Sequence, residues 1–291
     1  MTMRKSVLVT GAGGYIGRHV VAKLLDRGVQ VRAVDLRFDG VDPRAERLVL
    51  DVFSGASDIY EQMGRPDVVV HMAWRDGFKH NSRAHIDDLA LHYRLIDSLY
   101  EGGLKHLAVM GTMHEVGYWE GPIDENSPCS PASLYGISKN ALREMVRLSA
   151  QTHGAIFQWI RAYYIVGDDR FGNSVFSKLL TAADEGRATF PFTSGKNLYD
   201  FIPVDDLAGQ IAAIVTQDNV NGIINACTGE PVSLADRVER YIKDHDLSIQ
   251  LEYGAFPDRP YDSPGVWGDP SKIRAILAAN PPGPSPSPLG S

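Results

Sequence analysis

The sequence predicts an α/β fold: a parallel sheet with helices on both faces, followed by a smaller mixed lobe. Three observations predict it. Apolar runs of strand length alternate with stretches of helical periodicity through residue 166, the order that builds a doubly wound parallel sheet. The run Asp67-Val68-Val69-Val70-His71-Met72-Ala73 is almost continuously apolar, as a strand covered on both faces must be. A glycine cluster, Thr10-Gly11-Ala12-Gly13-Gly14-Tyr15-Ile16-Gly17, separates the first strand from the first helix.

The elements follow in order. Val7 to Val9 reads as a buried strand, and Tyr15 to Arg27 as a helix with Ile16, Val20, Val21, Leu24 and Leu25 at helical spacing. Val29 to Val34 is the second strand, Arg47 to Leu50 a short third, and Asp67 to Ala73 the fourth. Trp74 to Arg83 is a polar loop at that strand's C-terminal edge, where such sheets bind ligands. Ala84 to Tyr100 is helical and ends at Gly102-Gly103. Lys105 to Met110 is a fifth strand, Ser133 to His153 a long helix and Ala155 to Ala162 a sixth strand. Beyond it, Ser174 to Glu185, Val204 to Val215, Ser233 to His245 and Pro270 to Ala279 read as helices. Short strands are expected at Gly222 to Ala226 and Ser248 to Tyr253. The expected division is a dinucleotide domain over 1–166 and a substrate lobe over 167–279 with some segments returning to the first domain. A disordered tail is expected over 280–291, where five of twelve residues are proline.

Composition narrows the functional classes. With 291 residues, 44% hydrophobic and 22% charged, the chain can bury a large core. A net charge of −7 argues against a nucleic-acid partner. No apolar stretch reaches the length of a membrane span, and Met1 to Lys5 leads straight into a strand, without the form of a signal peptide. Cys129 and Cys227 form neither a metal spacing nor a disulfide framework. The expectation is a cytoplasmic protein without a metal.

The glycine turn makes the fold Rossmann-type. Strand, glycine turn and helix together make a dinucleotide site. Gly11 permits the tight turn, Gly14 the approach of a pyrophosphate and Gly17 close packing of helix on strand; Gly13 is an extra glycine. The helix N-terminus offers free N–H groups to phosphates. Asp35 ends the second strand, 18 residues after Gly17, placed to accept hydrogen bonds from an adenosine ribose. Its carboxylate would repel a 2′-phosphate, which favours NAD; Arg37, two residues on, keeps NADP as the alternative.

The chemistry concentrates in Tyr135-Gly136-Ile137-Ser138-Lys139. Tyr135 and Lys139 are i and i+4, so one helix face presents both. An ammonium beside a phenol favours the phenolate and is expected to lower the Tyr135 pKa, as a general acid–base requires. Thr112, beyond the fifth strand, can hydrogen-bond the same substrate oxygen. His80, His85 and His92 make no metal pattern and are expected on a solvated helix face. His114 is a candidate substrate contact.

These motifs resemble those of the extended short-chain dehydrogenase/reductase family, the nucleotide-sugar epimerases, dehydratases and reductases. The resemblance runs from Lys5 to Leu277. It includes the glycine turn, Asp35, Asp51-Val52, His71-Met72-Ala73-Trp74 (similar to the family's His-x-Ala-Ala), Gly111-Thr112 and Tyr135-x-x-x-Lys139. Tyr199-Asp200-Phe201-Ile202-Pro203-Val204-Asp205-Asp206-Leu207, Arg259-Pro260-Tyr261-Asp262 and Asp269-Pro270-Ser271-Lys272 extend it. It implies that Tyr135 is the acid–base, that Lys139 holds the nicotinamide ribose, and that Thr112 orients substrate. It also implies that Tyr15, Ile16, Asp51, Val52 and Ala73 line the cofactor. Trp74, Asn173 and Arg259 would face a nucleoside-diphosphate sugar, Arg259 at the diphosphate. A homodimer is implied as well, with the helices over 84–100 and 133–153 forming a four-helix interface.

The chain departs from the family pattern at three places. Tyr164 stands where an Asn is usual, Asp88 near another usual Asn, and Tyr199 where the family has Arg, so that a phosphate contact is either missing or supplied by Lys196. A 4,6-dehydratase carries Asp-Glu directly after the Thr, whereas Met113-His114 follow Thr112 and Glu115 comes one position late. The stretch Gly111 to Lys139 resembles the 4-keto-6-deoxyhexose reductase side of the family slightly better, and that resemblance implies reduction of a nucleoside-diphosphate 4-keto-6-deoxyhexose at C4, with a 4-epimerase using bound NAD as the alternative. A non-catalytic dinucleotide sensor is disfavoured because Tyr135 and Lys139 are both present.

Overall fold

The computed structural model describes residues 5–167, 174–258 and 262–281. The order is β1 (Ser6–Thr10), α1 (Tyr15–Asp26), β2 (Gln30–Asp35), β3 (Glu46–Val49), α2 (Ile59–Gln62), β4 (Val68–His71), α3 (Ala84–Asp87), α4 (Leu89–Glu101), β5 (His106–Thr112), a 3₁₀ turn (Met113–Glu115), β6 (Gly121–Ile123), α5 (Leu134–His153) and β7 (Ile156–Ala162). There follow β8 (Tyr164–Val166), α6 (Val175–Asp184), β9 (Thr189–Pro191), β10 (Leu198–Tyr199), β11 (Phe201–Pro203), α7 (Val204–Val215), β12 (Gly222–Ala226), β13 (Val232–Ser233), α8 (Leu234–Asp244), β14 (Gln250–Glu252), β15 (Gly265–Gly268) and α9 (Ser271–Ala279).

Seven strands form one parallel sheet in the order β12-β7-β5-β4-β1-β2-β3. The order reverses between β1 and β4, so a crevice opens beyond their C-terminal ends, where such sheets bind ligands. One face is covered by α1, α7 and α9 through Val20, Leu24, Leu207, Ile211 and Ile273. The other is covered by α2, α4 and α5 through Ile59, Ile96, Leu99, Leu142 and Val146. Val68, Val69 and Val70 are at most 1% exposed, which is why this strand lacks polar alternation.

Segments from the later chain complete the large sheet: β12 pairs with β7, and α7 and α9 pack on the α1 side. A lobe with its own core, including Phe176, Leu179, Phe201, Val238 and Tyr241, stands beyond it. Its short strands pair as β13-β10-β15-β6, β11-β8 and β14-β9. Buried Asp200 ties the two parts together: its carboxylate accepts from Thr228 N and Oγ1, Gly229 N and Gly268 N, at 2.7–3.2 Å.

Three expectations shift. The helix expected over 84–100 is two helices, broken at Asp88, whose carboxylate is clamped by Arg75 (2.9 Å). The fifth strand runs on to Thr112, because β7 continues to pair with it up to Ala162. Asn280 belongs to the body and not to a tail: it hydrogen-bonds Thr216 (2.9 Å) and Ala213; residues 282–291 lie outside the described residues. Among the described residues no helix is long and apolar enough to cross a membrane.

Candidate active site

Each glycine of the first turn is held by a close approach. Gly11 has φ +69°, and a Cβ there would stand 2.7 Å from Ala73 N. At Gly17 a Cβ would stand 2.1 Å from the Gly11 carbonyl. Gly13 is not a spare glycine, since a Cβ there would stand 2.1 Å from the Arg37 carbonyl. That crowding brings Gly13 N–H to the Asp35 carboxylate (2.9 Å), which also accepts from Leu36 N (2.7 Å) and Arg37 N (3.3 Å). The Arg37 side chain is exposed. A cleft of about 300 Å³ runs past Gly11, Gly14, Asp35, Asp51, Ala73 and Trp74. Val52 is buried against the α2–α4 side, and Tyr15 and Ile16 open α1. A glycine cradle that any Cβ would fill, with a carboxylate at its far end, fits a dinucleotide.

Thr112 ends β5 and begins the 3₁₀ turn. Its hydroxyl accepts from His114 N (3.3 Å), and its own N–H donates to Glu115 Oε1 (2.8 Å). The Glu115 carboxylate is fully buried. It also accepts from Trp159 Nε1 (2.7 Å) and faces Arg143 (3.4 Å) and Arg161 (3.6 Å). The late position of Glu115 therefore turns it into the core, where its oxygens are engaged, and a dehydratase's free acid pair after the Thr is missing.

Tyr135 occupies the first turn of α5, which Ser133 caps by accepting from Gly136 N (3.1 Å). The Tyr135 N–H donates to the His80 carbonyl (2.8 Å). One turn on, the buried Lys139 ammonium donates to the Met110 carbonyl (2.7 Å) and lies 6.0 Å from the Tyr135 ring centre. The spacing read from the sequence does bring Thr112, Tyr135 and Lys139 together. The expected lowering of the phenol pKa does not hold: burial pushes it above the ordinary tyrosine value, although the hydrogen bond with Thr112 works the other way. Burial also lowers Lys139, to about 7, against the pull of Glu115. The charged form of each group is opposed by desolvation, which is the largest influence on both.

The histidines overturn another expectation. His85 and His92 are buried, at 0% and 1% exposure, not on a solvated face. The Trp74 indole N–H donates to His85 Nδ1 (3.1 Å), and the indole stacks on His92 (4.3 Å between centres). His92 is hydrogen-bonded to His71 (2.9 Å), and His71 to Thr10 (2.9 Å). His80 lies face to face with Tyr135 (5.4 Å, 14°), and His114 lies 4.4 Å from His80. Burial lowers His80 as well as His114, the latter to about 4, so both imidazoles are neutral at pH 7. Among the described residues no group of His, Cys, Asp or Glu could hold a metal ion. Helical spacing hid these histidines. Their position just beyond the C-terminal end of β4 was the available signal.

The departures cluster too. Tyr164 lies against Tyr199, the rings tilted and 4.4 Å between centres, at the lobe's inner edge, so the usual Asn and Arg are replaced by an aromatic pair. Asn173 and Arg259 lie outside the described residues.

A model of the NAD dependent epimerase/dehydratase family matches residues 7–227. A dTDP-6-deoxy-L-talose 4-dehydrogenase (NAD(+)) of Aggregatibacter actinomycetemcomitans is 44% identical over 271 residues, covering 90% of this chain and 99% of that one. A putative UDP-glucose 4-epimerase of Methanocaldococcus jannaschii is 26% identical over 87% of this chain and 86% of its own. In structure, a Thermus thermophilus UDP-glucose 4-epimerase complexed with NAD superposes with a TM-score of 0.78 at 21% identity, covering 95% of this chain and 94% of that one.

Proposed function

Because the chain belongs to the NAD dependent epimerase/dehydratase family, we propose that it interconverts a dTDP-linked 6-deoxyhexose and its 4-keto form. The observation that carries this reading is Thr112, Tyr135 and Lys139 meeting at the C-terminal end of β5, with no free carboxylate after Thr112. The similarity to the 4-dehydrogenase over nearly its whole length supports it.

The glycine turn over 11–17 would hold the pyrophosphate of NAD, Asp35 the adenosine ribose and Lys139 the nicotinamide ribose. Asp35 supports NAD over NADP, because its carboxylate would stand beside a 2′-phosphate. The nicotinamide, when bound, gives or takes the hydride at C4. Tyr135 then moves the proton on the C4 oxygen: the phenolate accepts it in oxidation, and the phenol returns it in reduction. Thr112 orients that oxygen. His80 and His114, each with one donor and one acceptor nitrogen, offer hydrogen bonds to neighbouring sugar hydroxyls. Asn173 and Arg259 are assigned to substrate by the family resemblance, Arg259 through charge-assisted bonds to the diphosphate. A homodimer through α3, α4 and α5 is part of the same proposal.

The test is incubation with dTDP-6-deoxyhexoses and NAD⁺, and with their 4-keto forms and NADH or NADPH, following cofactor absorbance and sugar-nucleotide chromatography. One cofactor converted per sugar, with NAD(H) preferred, is the expected result. An isomer formed without net change in the cofactor would replace the dehydrogenase with a 4-epimerase. Tyr135→Phe should lower kcat by roughly 10²–10⁴-fold; full turnover in that variant removes Tyr135 from the mechanism.

A further inference from the structure

Among the described residues, no carboxylate is in contact with the buried Lys139 ammonium. The lysine is 3% exposed, and its ammonium donates to the Met110 carbonyl. Glu115 is the acid that acts on it through space, and that carboxylate is already engaged by Thr112, Trp159 and Arg143. What the ammonium does meet is an aromatic face: Nζ lies 3.8 Å from the ring centre of Trp74. An indole attracts a cation through its quadrupole, most strongly where water is excluded.

The indole is itself fixed. Its N–H donates to His85 Nδ1, and His85 Nε2 lies 3.0 Å from the Lys79 carbonyl. Nε2 therefore carries the proton and Nδ1 accepts, a single tautomer. The opposite constraint is the stack on His92, which is tied through His71 to Thr10, the residue before Gly11. Burial keeps His71 and His92 neutral, their pKa values lowered to about 3 and about 2. A charged imidazole at either place would repel the lysine. The titratable groups around Lys139 are thus His71 from β4, His85 from α3, His92 from α4, Glu115 from the 3₁₀ turn and Tyr135 from its own helix. The family motif that the chain resembles carries alanine where Trp74 stands, so the ring is a feature of this chain.

We propose that Trp74 is a positioning residue for the acid–base, its indole face favouring the Lys139 ammonium over the neutral amine, against the pull of burial, and aiming it toward Tyr135. The proposal rests on the reading of Tyr135 as the acid–base. Without the aromatic face the ammonium loses support and Lys139 gives up its proton at lower pH. The Tyr135 phenolate then loses a neighbouring cation and forms at higher pH. Oxidation needs the phenolate, so the rising limb of kcat against pH moves to the alkaline side.

Trp74→Leu removes the aromatic face and keeps apolar bulk; Trp74→Phe keeps an aromatic face and discards the indole N–H. In the NAD-loaded protein, Trp74→Leu should move the rising limb up by about one pH unit, a tenfold loss of kcat below it. Trp74 lines the cleft, so KM is read alongside, and the proposal is carried by the displacement of the limb in pH and not by KM. Trp74→Phe should keep the rising limb at the pH where the parent protein has it, whatever its KM. Tyrosinate absorbance of the NAD-loaded protein, each form read against its own Tyr135→Phe counterpart, should show the same displacement. That titration needs no substrate, so it reads this proposal even if the sugar nucleotide proposed above is not turned over. Leu and Phe variants that behave alike, with the limb and the tyrosinate titration unmoved, overturn it. So does a loss of kcat that is equal at every pH, which would make Trp74 a structural brace.

Discussion

Glu115 shows how one residue of spacing decides chemistry. A carboxylate one position earlier would be available to act as an acid or base; here the 3₁₀ turn folds it back to cap Thr112 and to face two buried guanidinium groups. Arg161 is fully buried, its Nε and Nη2 have no hydrogen-bond partner among the described residues, and Glu115 is the carboxylate that faces it (3.6 Å). Removing one partner of a buried ion pair costs more than the pair contributes, because the remaining charge stays desolvated. Glu115→Gln should therefore lower unfolding free energy by about 3 kcal/mol in urea denaturation, with activity lost in step with fold. An acid–base role would instead give a stable protein of low kcat. The histidines show a second lesson: a residue type is legible or not according to whether its neighbours lie near in sequence.

Helix α5 carries the acid–base machinery, and its first turn is where helix and active site meet. Ser133 caps it, Tyr135 and Lys139 project from successive turns, and Gly136 abuts the 3₁₀ turn that holds Thr112. By propensity alone Gly136→Ala should stabilise a helix by roughly 1 kcal/mol. The tertiary contact reverses the sign, since a Cβ there would stand 2.3 Å from the His114 carbonyl. The 3₁₀ turn would have to move away from α5, separating Thr112 from Tyr135. Displacement of reacting groups by about 1 Å can cost on the order of 10²-fold. Gly136→Ala should therefore lose kcat on that scale while keeping its circular dichroism, and a gain in melting temperature with full activity would contradict the contact.

At the scale of the whole molecule, assembly turns on the exposed face of α5. Ile137 and Leu148 stand eleven residues apart on α5, three helical turns, and so share a face; they are 44% and 61% exposed. Ile86, 46% exposed, sits on α3, which packs beside α5. Apolar side chains grouped on one side are what a subunit contact would cover. Sedimentation equilibrium at micromolar protein should give twice the chain mass, and Leu148→Glu should shift it toward the monomer. A parent protein that sediments as a monomer removes the dimer.

The sequence by itself determined the parallel sheet, the glycine turn, Asp35 and the Thr112–Tyr135–Lys139 set. Each is written in local order: buried strands as apolar runs, a helix face as an i, i+4 pair, a tight turn as clustered glycines. Only the tertiary structure decided the rest. It placed β12 beside β7, since strands of different chain regions pair without any mark in either segment. It assembled β6, β10, β13 and β15 from pieces of two to four residues, too short to carry a period. It turned Glu115 inward and closed Trp74 and the histidines around Lys139, because burial and electrostatic neighbourhood depend on distances in space that the order of residues does not encode.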